Sequence, residues 1–381
     1  MARIVIATYM VRYPLGGMLS WALQYCLGFH LLGHEIHLVE KANYPGACFN
    51  PKQRSMTDSC QSGFSTVKRL LSRFGLGDRL AFRDVHGRLY GVGETGLAEI
   101  FRSADLLIDI GNHGAWLPEA REAGLSTVLI EGEPGFTQIK MANAVAAGEP
   151  VVEFDYYYSN GANIGTPRTT APDGGRKWGH VFNPVATDLI TVTQPPDGAC
   201  FSTVMNWQSH QPVSFNGHSY GQKDIEFSKF IGLPARASVP VEVAAAGNVP
   251  RDELRDKGWR LCDAHEVTAT FDAYHGYIAR SLGEFSVCKN VFVATLSGWF
   301  SDRSAAYLAS GRPVVLQDTG FSEHIPCGRG LFAVSDVEEA AAAIDNIMGN
   351  YSHHASCARE LGVEYLDAKK LMGQILDDIQ V

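Results

Sequence analysis

A short polar turn in the C-terminal half of the chain carries residues suited to binding an anion. Ser301, Arg303 and Ser304 follow Gly298 in the stretch SGWFSDRSAAYLASGRP. The two hydroxyls can donate hydrogen bonds, and the guanidinium is a planar fork that matches phosphate oxygens. If the turn opens a helix, free backbone N–H groups and the helix dipole also favour an anion. The turn therefore predicts a diphosphate site; the alternative is that Ser301 is an ordinary helix cap and Arg303 a solvated surface charge.

A second polar loop, formed by Asp318, Thr319 and Gly320, is suited to binding hydroxyl groups. It follows the apolar run at residues 314–316, and another apolar run, at residues 291–296, precedes the first turn. Both runs predict buried strands, so the segment is predicted to be a parallel strand–helix–strand unit. Loops at the carboxyl ends of such strands open into one crevice. A diphosphate at the first loop and a hydroxyl-rich group at the second is a coherent prediction.

The central segment also resembles a known family. SDRSAAYLASGRPVVLQDTGF, with SEHIP and GRGLF after it, is similar to the donor-binding region of GT-B glycosyltransferases of the family 4 type. The resemblance implies two doubly wound, Rossmann-like α/β domains that face one another across a cleft. It also implies that the C-terminal domain holds a nucleotide sugar. Family 4 enzymes usually carry two glutamates in this segment, where this chain has Gly298 and Ala306.

The resemblance assigns further donor contacts. In these enzymes a lysine or arginine near the first strand of the C-terminal domain often pairs with the phosphates, and Lys223 occupies such a position. The alternative for Lys223 is a solvated lysine at the start of a helix. Trp259 and Leu261 lie in the stretch that usually receives the nucleotide base. The second polar loop would then hold the hydroxyls of the sugar.

Candidate catalytic residues lie in the N-terminal half. His113 stands between glycines after an apolar run, where the end of a strand would face a crevice. Glu131 ends the next apolar run, and Glu133 follows it as a further candidate. His113 and Glu131 are the predicted acid–base groups; the alternative for His113 is a loop histidine bonded to a backbone carbonyl. GT-B enzymes usually have a glycine-rich turn after their first strand, which puts Gly16 and Gly17 on the acceptor side.

Composition favours a globular protein with two cores. The chain has 381 residues, of which 45% are hydrophobic and 19% charged. Its net charge is −9 and it has no long run of lysine or arginine, so nucleic acid is predicted not to be a partner. No signal peptide and no membrane span are expected. Its eight cysteines are scattered without a Cys-x-x-Cys pair, which predicts reduced thiols in the cytoplasm.

The predicted organisation is an acceptor domain over residues 1–190, a nucleotide-sugar domain over residues 191–365 and a helix over residues 366–381 that crosses back. A stiff, turn-forming stretch at residues 187–199 marks the boundary. The predicted function is sugar transfer from a nucleotide-diphosphate donor to a small-molecule or glycan acceptor, without metal or cofactor. The alternatives are an epimerase or hydrolase of nucleotide sugars and a non-catalytic relative that binds them. No Gly-x-Gly-x-x-Gly fingerprint follows the first strand, which disfavours a nicotinamide oxidoreductase.

Overall fold

The N-terminal half folds around one eight-stranded sheet. The computed structural model describes residues 1–111, 113–209 and 211–380. The elements of this half are, in chain order, β1 (Arg3–Ala7), α1 (Gly16–Leu31), β2 (Glu35–Lys41), β3 (Cys48–Asn50), β4 (Ser55–Thr57), α2 (Gln61–Ser72), β5 (Leu80–Arg83), β6 (Leu89–Tyr90), α3 (Glu94–Ser103), β7 (Leu106–Ile110), α4 (Leu117–Glu122), β8 (Ser126–Glu131), α5 (Phe136–Ala146), β9 (Tyr156–Ser159) and β10 (Trp178–His180). The strand order is β10-β9-β8-β7-β1-β2-β5-β6, and its neighbours run parallel except for β5 with β6.

The inner strands of this sheet are apolar on both faces because helices cover both sides. All of β1 after its first residue is buried, and so is every residue of β7. Strands of this kind appear in a sequence as continuous apolar runs rather than as alternating patterns. The chain leaves β1 toward β2 on one side and later adds β7 on the other side, so the strand order reverses between β1 and β7. Open α/β sheets bind their ligands at the carboxyl ends of strands at such a reversal.

The C-terminal half folds around a six-stranded sheet in which all neighbouring strands run parallel. The elements of this half are, in chain order, β11 (Phe201–Asn206), β12 (Val213–Phe215), β13 (His218–Tyr220), α6 (Lys223–Phe230), β14 (Val241–Ala246), α7 (Arg251–Asp256), β15 (Arg260–Asp263), α8 (Ala264–Val267), α9 (Phe271–Ala279), β16 (Gly283–Ser286), α10 (Asn290–Ala294), α11 (Asp302–Ala309), β17 (Val314–Gln317), β18 (Leu331–Val334), α12 (Val337–Gly349), α13 (Tyr351–Tyr365) and α14 (Ala368–Ile379). The sheet order is β15-β14-β11-β16-β17-β18, so its reversal lies between β11 and β16. The predicted class of two doubly wound α/β units is confirmed.

The strand predicted at residues 291–296 is wrong. These residues form α10 and the turn after it, in which Leu296 has a φ of 51°. An apolar run of this length does not distinguish a buried strand from a buried helix, and here Val291 and Phe292 are buried while Ala294 is exposed. The strand that precedes the polar turn is β16, in which all residues are buried. The strand–helix–strand unit is nevertheless present, because β16 pairs in parallel with β17 beyond α11.

The last helix of the chain packs against the first. A Cβ atom built on Gly28 of α1 would lie 2.4 Å from Met372 Cγ and 2.7 Å from the carbonyl oxygen of Ala368, both on α14. The ammonium of Lys369 also pairs with Asp188 at 2.6 Å. Only glycine lets the two helix backbones approach this closely. The C-terminal helix is thus part of the packing of the N-terminal half.

Replacing Gly28 with alanine is expected to destabilise the protein, although alanine is the better helix former. The new methyl group would collide with α14, and overpacking of this kind costs on the order of 1–3 kcal/mol. Gly276 in α9 is the matched control, because a Cβ atom there meets no atom within 4 Å. Gly276→Ala is expected to raise the free energy of unfolding by about 0.5–1 kcal/mol. Urea unfolding of both variants measures the two opposite signs; stabilisation by both would contradict this account of Gly28.

Two β-hairpins connect the halves, one from each side. The β3–β4 hairpin of the N-terminal half carries Arg54, which pairs with Asp263 of the C-terminal half at 3.1 Å. The β12–β13 hairpin of the C-terminal half accepts a hydrogen bond at the carbonyl of Ser214 from Asn143 Nδ2 at 3.0 Å. Each hairpin therefore places a polar contact between the two halves.

The sequence predicts no membrane span and reduced cysteines. None of the helices in the described residues combines the length and the apolar character needed to cross a membrane. All eight cysteines are free thiols, and most of them are buried.

Candidate active site in the cleft

The reversal points of the two sheets open onto one cleft. Lys289, just after β16, pairs with Glu133, just after β8, with 2.5 Å between the ammonium and the carboxylate. The N–H of Gly16 donates to the carbonyl of Thr268 at 2.7 Å, so the start of α1 also touches the C-terminal half. Loops at the carboxyl ends of strands from both sheets therefore meet where α/β folds bind ligands.

Lys223 is a buried cation on the C-terminal side of this cleft. It is the first residue of α6, and only 7% of it is exposed. Among the described residues its ammonium has no hydrogen-bond acceptor and no ion-pair partner. Burial, with the charge of Arg303 adding to it, lowers the pKa of Lys223 to about 7. Burying a lysine without a counter-ion is costly, and an anionic ligand would remove that cost.

Polar side chains at the start of α11 are also left without partners. Ser301 and Ser304 are at most 1% exposed, and neither Oγ has a hydrogen-bond partner among the described residues. Ser301 has the extended backbone of an N-cap, but its side chain does not cap the helix. Buried polar groups are normally hydrogen-bonded. Unused hydroxyls at the start of a helix suit a phosphate, and contact of Ser301 and Ser304 with a diphosphate stays a prediction.

Arg303 is turned into the C-terminal half instead of toward solvent. Its Nε pairs with the fully buried Glu284, its Nη1 donates to the carbonyl of Val204 at 2.7 Å, and its Nη2 donates to Ser286 Oγ at 2.6 Å. Burial is the largest single influence and lowers the pKa of Arg303, but the charge of Glu284, the hydrogen bond to it and the charges of Tyr274 and Asp302 together raise it by more, so the net direction is upward. The guanidinium predicted to bind the diphosphate thus forms an internal ion pair instead. The role assigned to Arg303 is corrected, because its side chain connects the start of α11 to β11 and β16.

The second predicted loop uses its polar groups within the fold. Asp318 accepts a hydrogen bond from the N–H of Gly320 at 2.8 Å, and the buried hydroxyl of Thr319 donates to the carbonyl of Trp299 at 2.7 Å. Gly320 has a φ of 92°, and a Cβ atom there would lie 2.6 Å from Asn163 Nδ2 of the N-terminal half. The loop therefore fixes the residues before α11 against the other half. Direct contact of Asp318, Thr319 and Gly320 with sugar hydroxyls stays a prediction.

Trp259 and Leu261 belong to the core of the C-terminal half. Trp259 is 3% exposed, its Nε1–H donates to the carbonyl of Ile231 at 2.9 Å, and its ring packs on Phe227 with 4.8 Å between the ring centroids. Leu261 lies on the edge strand β15 and packs against the same apolar cluster. A tryptophan whose ring and N–H are both engaged in the core has no free face for a nucleotide base. The base-binding assignment of both residues is therefore corrected to a packing role.

Gly16 and Gly17, predicted on the acceptor side, open α1 against the C-terminal half. A Cβ atom on Gly16 would lie 2.4 Å from the carbonyl oxygen of Thr270 and 2.6 Å from Tyr274 Cβ. A Cβ atom on Gly17 would lie 3.7 Å from the ring of Tyr274, which is ordinary contact. Gly16 thus permits the close approach of the two halves. Contact of either glycine with an acceptor stays a prediction.

His113 and Glu131 are held by their own loops. The N–H of His113 donates to Asp109 Oδ1 at 3.0 Å, and the residue is exposed with a φ of 56°. Glu131 is 2% exposed and accepts hydrogen bonds from Ser159 Oγ and, at 3.0 Å, from Gln138 Nε2. Burial raises the pKa of Glu131. Glu131 thus organises the turn after β8, and the acid–base role of the two residues stays a prediction.

Three residues of the cleft are not among the predicted site residues. They are Lys289, Asp302 and Tyr9, and Tyr9 interacts electrostatically with both Glu133 and Asp302. Asp302 stands between Ser301 and Arg303, so its position inside the polar turn could have indicated that it belongs to the site. An acid in the first turn of a helix usually serves only to stabilise the helix dipole, which hides that signal. Tyr9 and Lys289 give no sequence signal, because packing between the halves brings them to the cleft.

A groove of about 530 Å³ opens beside α10, next to Lys289. Both halves contribute to its wall, which combines rings, amides and hydroxyls. A lining of this kind offers stacking surface and hydrogen bonds to a hydroxylated ligand. The residues of the wall include Thr170, Phe215, Asn216, His218, Tyr220 and Asn290.

Comparison with solved structures identifies the fold. HepE from Anabaena in complex with UDP-glucose is similar over 100% of both chains, with a TM-score of 0.59 and 14% sequence identity. An alpha-glucosyltransferase (AGT) in complex with UDP is similar over 100% of both chains, with a TM-score of 0.56 and 10% identity. No protein-family model matches the chain, and a search of curated proteins found no match. The chain therefore has the GT-B fold that the resemblance implies.

A further structure corrects the prediction that excludes nucleic acid. An alpha-glucosyltransferase in complex with UDP-glucose and DNA containing an abasic site is similar over 100% of both chains, with a TM-score of 0.55 and 12% identity. The GT-B fold thus includes a protein that binds DNA. The exclusion drawn from a net charge of −9 is wrong, because net charge does not describe the local charge of a binding face.

Proposed function

We propose that the protein is a glycosyltransferase that moves a sugar from a nucleotide-diphosphate donor to a hydroxyl acceptor. The observation that carries the proposal is Lys223, a lysine that is 7% exposed, in the half that also holds Ser301 and Ser304; among the described residues neither its ammonium nor their hydroxyls have a hydrogen-bond partner. A diphosphate supplies the negative charge and the acceptor oxygens that these groups lack. The fold supports the proposal, because structures of this fold contain UDP and UDP-glucose.

The charges of the cleft suit the departure of a nucleoside diphosphate. Negative charge grows on the diphosphate as the bond between the anomeric carbon and the phosphate oxygen breaks. In this proposal Lys223 and N–H groups at the start of α11 neutralise this charge, and Lys289, which pairs with Glu133, adds a further positive charge to the cleft. Preorganised donors and cations in a partly closed site lower the barrier without reorganising water. We therefore propose that these groups take the part of a metal ion and that transfer needs no other cofactor.

Lys223→Met is expected to weaken UDP binding on the order of 100-fold, because methionine keeps the length of the side chain and removes its charge. Titration calorimetry at pH 6.5, below the pKa of about 7, measures the two dissociation constants. Lys257→Met is the matched control, since Lys257 is an exposed lysine of the same half. UDP affinity that is equal in all three proteins would remove Lys223 from the donor site.

An activity measurement completes the test. The wild-type protein is incubated with UDP-glucose and a panel of hydroxyl acceptors, and the glycoside, free glucose and UDP are quantified by chromatography. Free glucose without any acceptor would indicate a hydrolase, and tight binding without turnover a non-catalytic relative. If none of UDP, GDP, TDP and ADP binds the wild-type protein, the proposed function fails.

A further inference from the structure

Asp302 begins α11 at the boundary between the two halves. Two positions before it, the carbonyl of Phe300 accepts a hydrogen bond from Asn183 Nδ2 at 3.0 Å. Asn183 Oδ1 in turn accepts hydrogen bonds from Trp21 Nε1 at 3.1 Å and from the hydroxyl of Tyr25 at 3.2 Å. These bonds fix the start of α11 to α1 of the N-terminal half. Asp302 therefore has a defined place between the halves.

The carboxylate of Asp302 is not used to hold the fold together. Among the described residues no side chain donates a hydrogen bond to it or forms an ion pair with it; the backbone N–H of Arg303, in the same helix turn, donates a hydrogen bond to it. It is neither fully buried nor fully exposed. The titratable and charged groups that face it come from both halves and are Tyr9 after β1, Tyr25 on α1, Lys223 on α6, Tyr274 on α9, Glu284 on β16 and Arg303 on α11.

This setting differs from that of the other carboxylates near the cleft. Glu133 is paired with Lys289, Glu284 is paired with Arg303, and Glu131 is enclosed by donors. Asp302 alone of these four keeps its carboxylate without a side-chain partner. A carboxylate in that condition, beside the residues that suit a diphosphate, is placed to touch a substrate.

We propose that Asp302 is the base that takes the proton of the acceptor hydroxyl, an assignment that rests on the proposed glycosyl transfer. The acceptor oxygen forms a bond to the anomeric carbon while the bond from that carbon to the phosphate oxygen breaks. The proton of the hydroxyl passes to the carboxylate of Asp302. The electron pair of the broken bond leaves with the nucleoside diphosphate beside Lys223, so atoms and charge balance without another reactant.

Two physical features suit Asp302 to this role. Burial raises the pKa of Asp302, although Arg303 opposes the shift, and a base works best when its pKa approaches the working pH. The carboxylate also carries the same charge as the diphosphate, so it repels the product UDP. Removing the charge is therefore expected to leave UDP binding unchanged or to strengthen it while catalysis is lost.

Asp302→Asn is expected to lower kcat between 100-fold and 10,000-fold, with a dissociation constant for UDP no larger than that of the wild-type protein. In wild type the rate is expected to fall at low pH as Asp302 takes up a proton, and this acid limb should be missing from the residual rate of the variant. Asp252→Asn is the matched control, because Asp252 also lies in the first turn of a helix and its side chain is 97% exposed. The control is expected to keep wild-type kcat.

A second variant keeps the proposal testable if Asp302→Asn folds poorly. Asp302→Ala leaves space for a small carboxylate. Added formate is expected to raise the rate of this variant at least ten-fold, in a concentration-dependent way. A kcat of Asp302→Asn within ten-fold of wild type, or an unchanged acid limb, would overturn the assignment while UDP binding and turnover of the wild type remain. Failure of the wild type to bind any nucleoside diphosphate would instead overturn the proposed function itself.

Discussion

Replacing Arg303 with methionine is expected to lower the free energy of unfolding by about 3–5 kcal/mol, because it leaves a buried carboxylate without its partner. Glu284 is fully buried, and Arg303 is its ion-pair partner. Two further hydrogen bonds of the guanidinium, to the carbonyl of Val204 and to Ser286 Oγ, would also be lost. Urea unfolding followed by tryptophan fluorescence measures the change.

The double variant Arg303→Met with Glu284→Leu is the control for this explanation. Replacing both partners of a buried ion pair with apolar residues removes the stranded charge, so much of the lost stability is expected to return. If Arg303→Met instead keeps the stability of the wild type and loses only UDP binding, Arg303 is the phosphate ligand predicted from the sequence. The two outcomes separate an internal ion pair from a donor contact.

Raising the pH from 7 to 10 is expected to stabilise the ligand-free protein through Lys223. Burial lowers the pKa of Lys223 from its ordinary value of 10.5 to about 7. Between these two values the unfolded chain keeps the proton while the folded protein releases it. The free energy of unfolding therefore rises through this group by up to about 1.4 kcal/mol per pH unit. Below pH 7 both states carry the proton, so Lys223 contributes no slope there.

Lys223→Met isolates this contribution, because the difference between the two stability curves removes every other titrating group. UDP is expected to weaken the trend, since an anion beside the ammonium raises the pKa of the lysine toward its ordinary value. Binding then takes up a proton above pH 7, and UDP affinity falls as the pH rises. Parallel stability curves for wild type and Lys223→Met between pH 7 and pH 10 would contradict the lowered pKa, and with it a buried Lys223 that has no counter-ion.

The fold could be predicted from the sequence because its strands are buried on both faces. Continuous apolar runs such as those of β1, β7 and β17 identify such strands without an alignment. The failure at α10 has a physical cause, since a short run of Val, Phe and Ala buries one face equally well in a helix. Strand β16, with the sequence GEFS, cannot be predicted from an apolar run, because it contains the charged residue Glu284. The ion pair with Arg303 stabilises Glu284 in this buried strand.

The candidate site could be predicted only where residue type and local position agree. Ser301 and Ser304 are polar residues at a helix start, and Lys223 is a cation at the start of another helix, where the dipole disfavours it. Residue type alone does not predict the roles of Arg303 and Trp259. A guanidinium forms internal ion pairs as readily as it binds a phosphate, and an indole ring packs in a core as readily as it stacks on a base. The partner that decides between these uses is distant in sequence, as Glu284 is for Arg303 and Ile231 is for Trp259.

The packing of α14 on α1 has a consequence for the synthesis of the protein. A ribosome completes the N-terminal half long before residues 368–379 exist, so that half emerges with the face of α1 around Gly28 uncovered. Folding of one half as it leaves the ribosome, the usual order for chains of two domains, cannot finish here until residues 368–379 have also emerged. Expression of residues 1–190 alone would reproduce that unfinished state permanently. A fragment meant to fold independently would have to join the first segment to the last, with the C-terminal sheet left out between them.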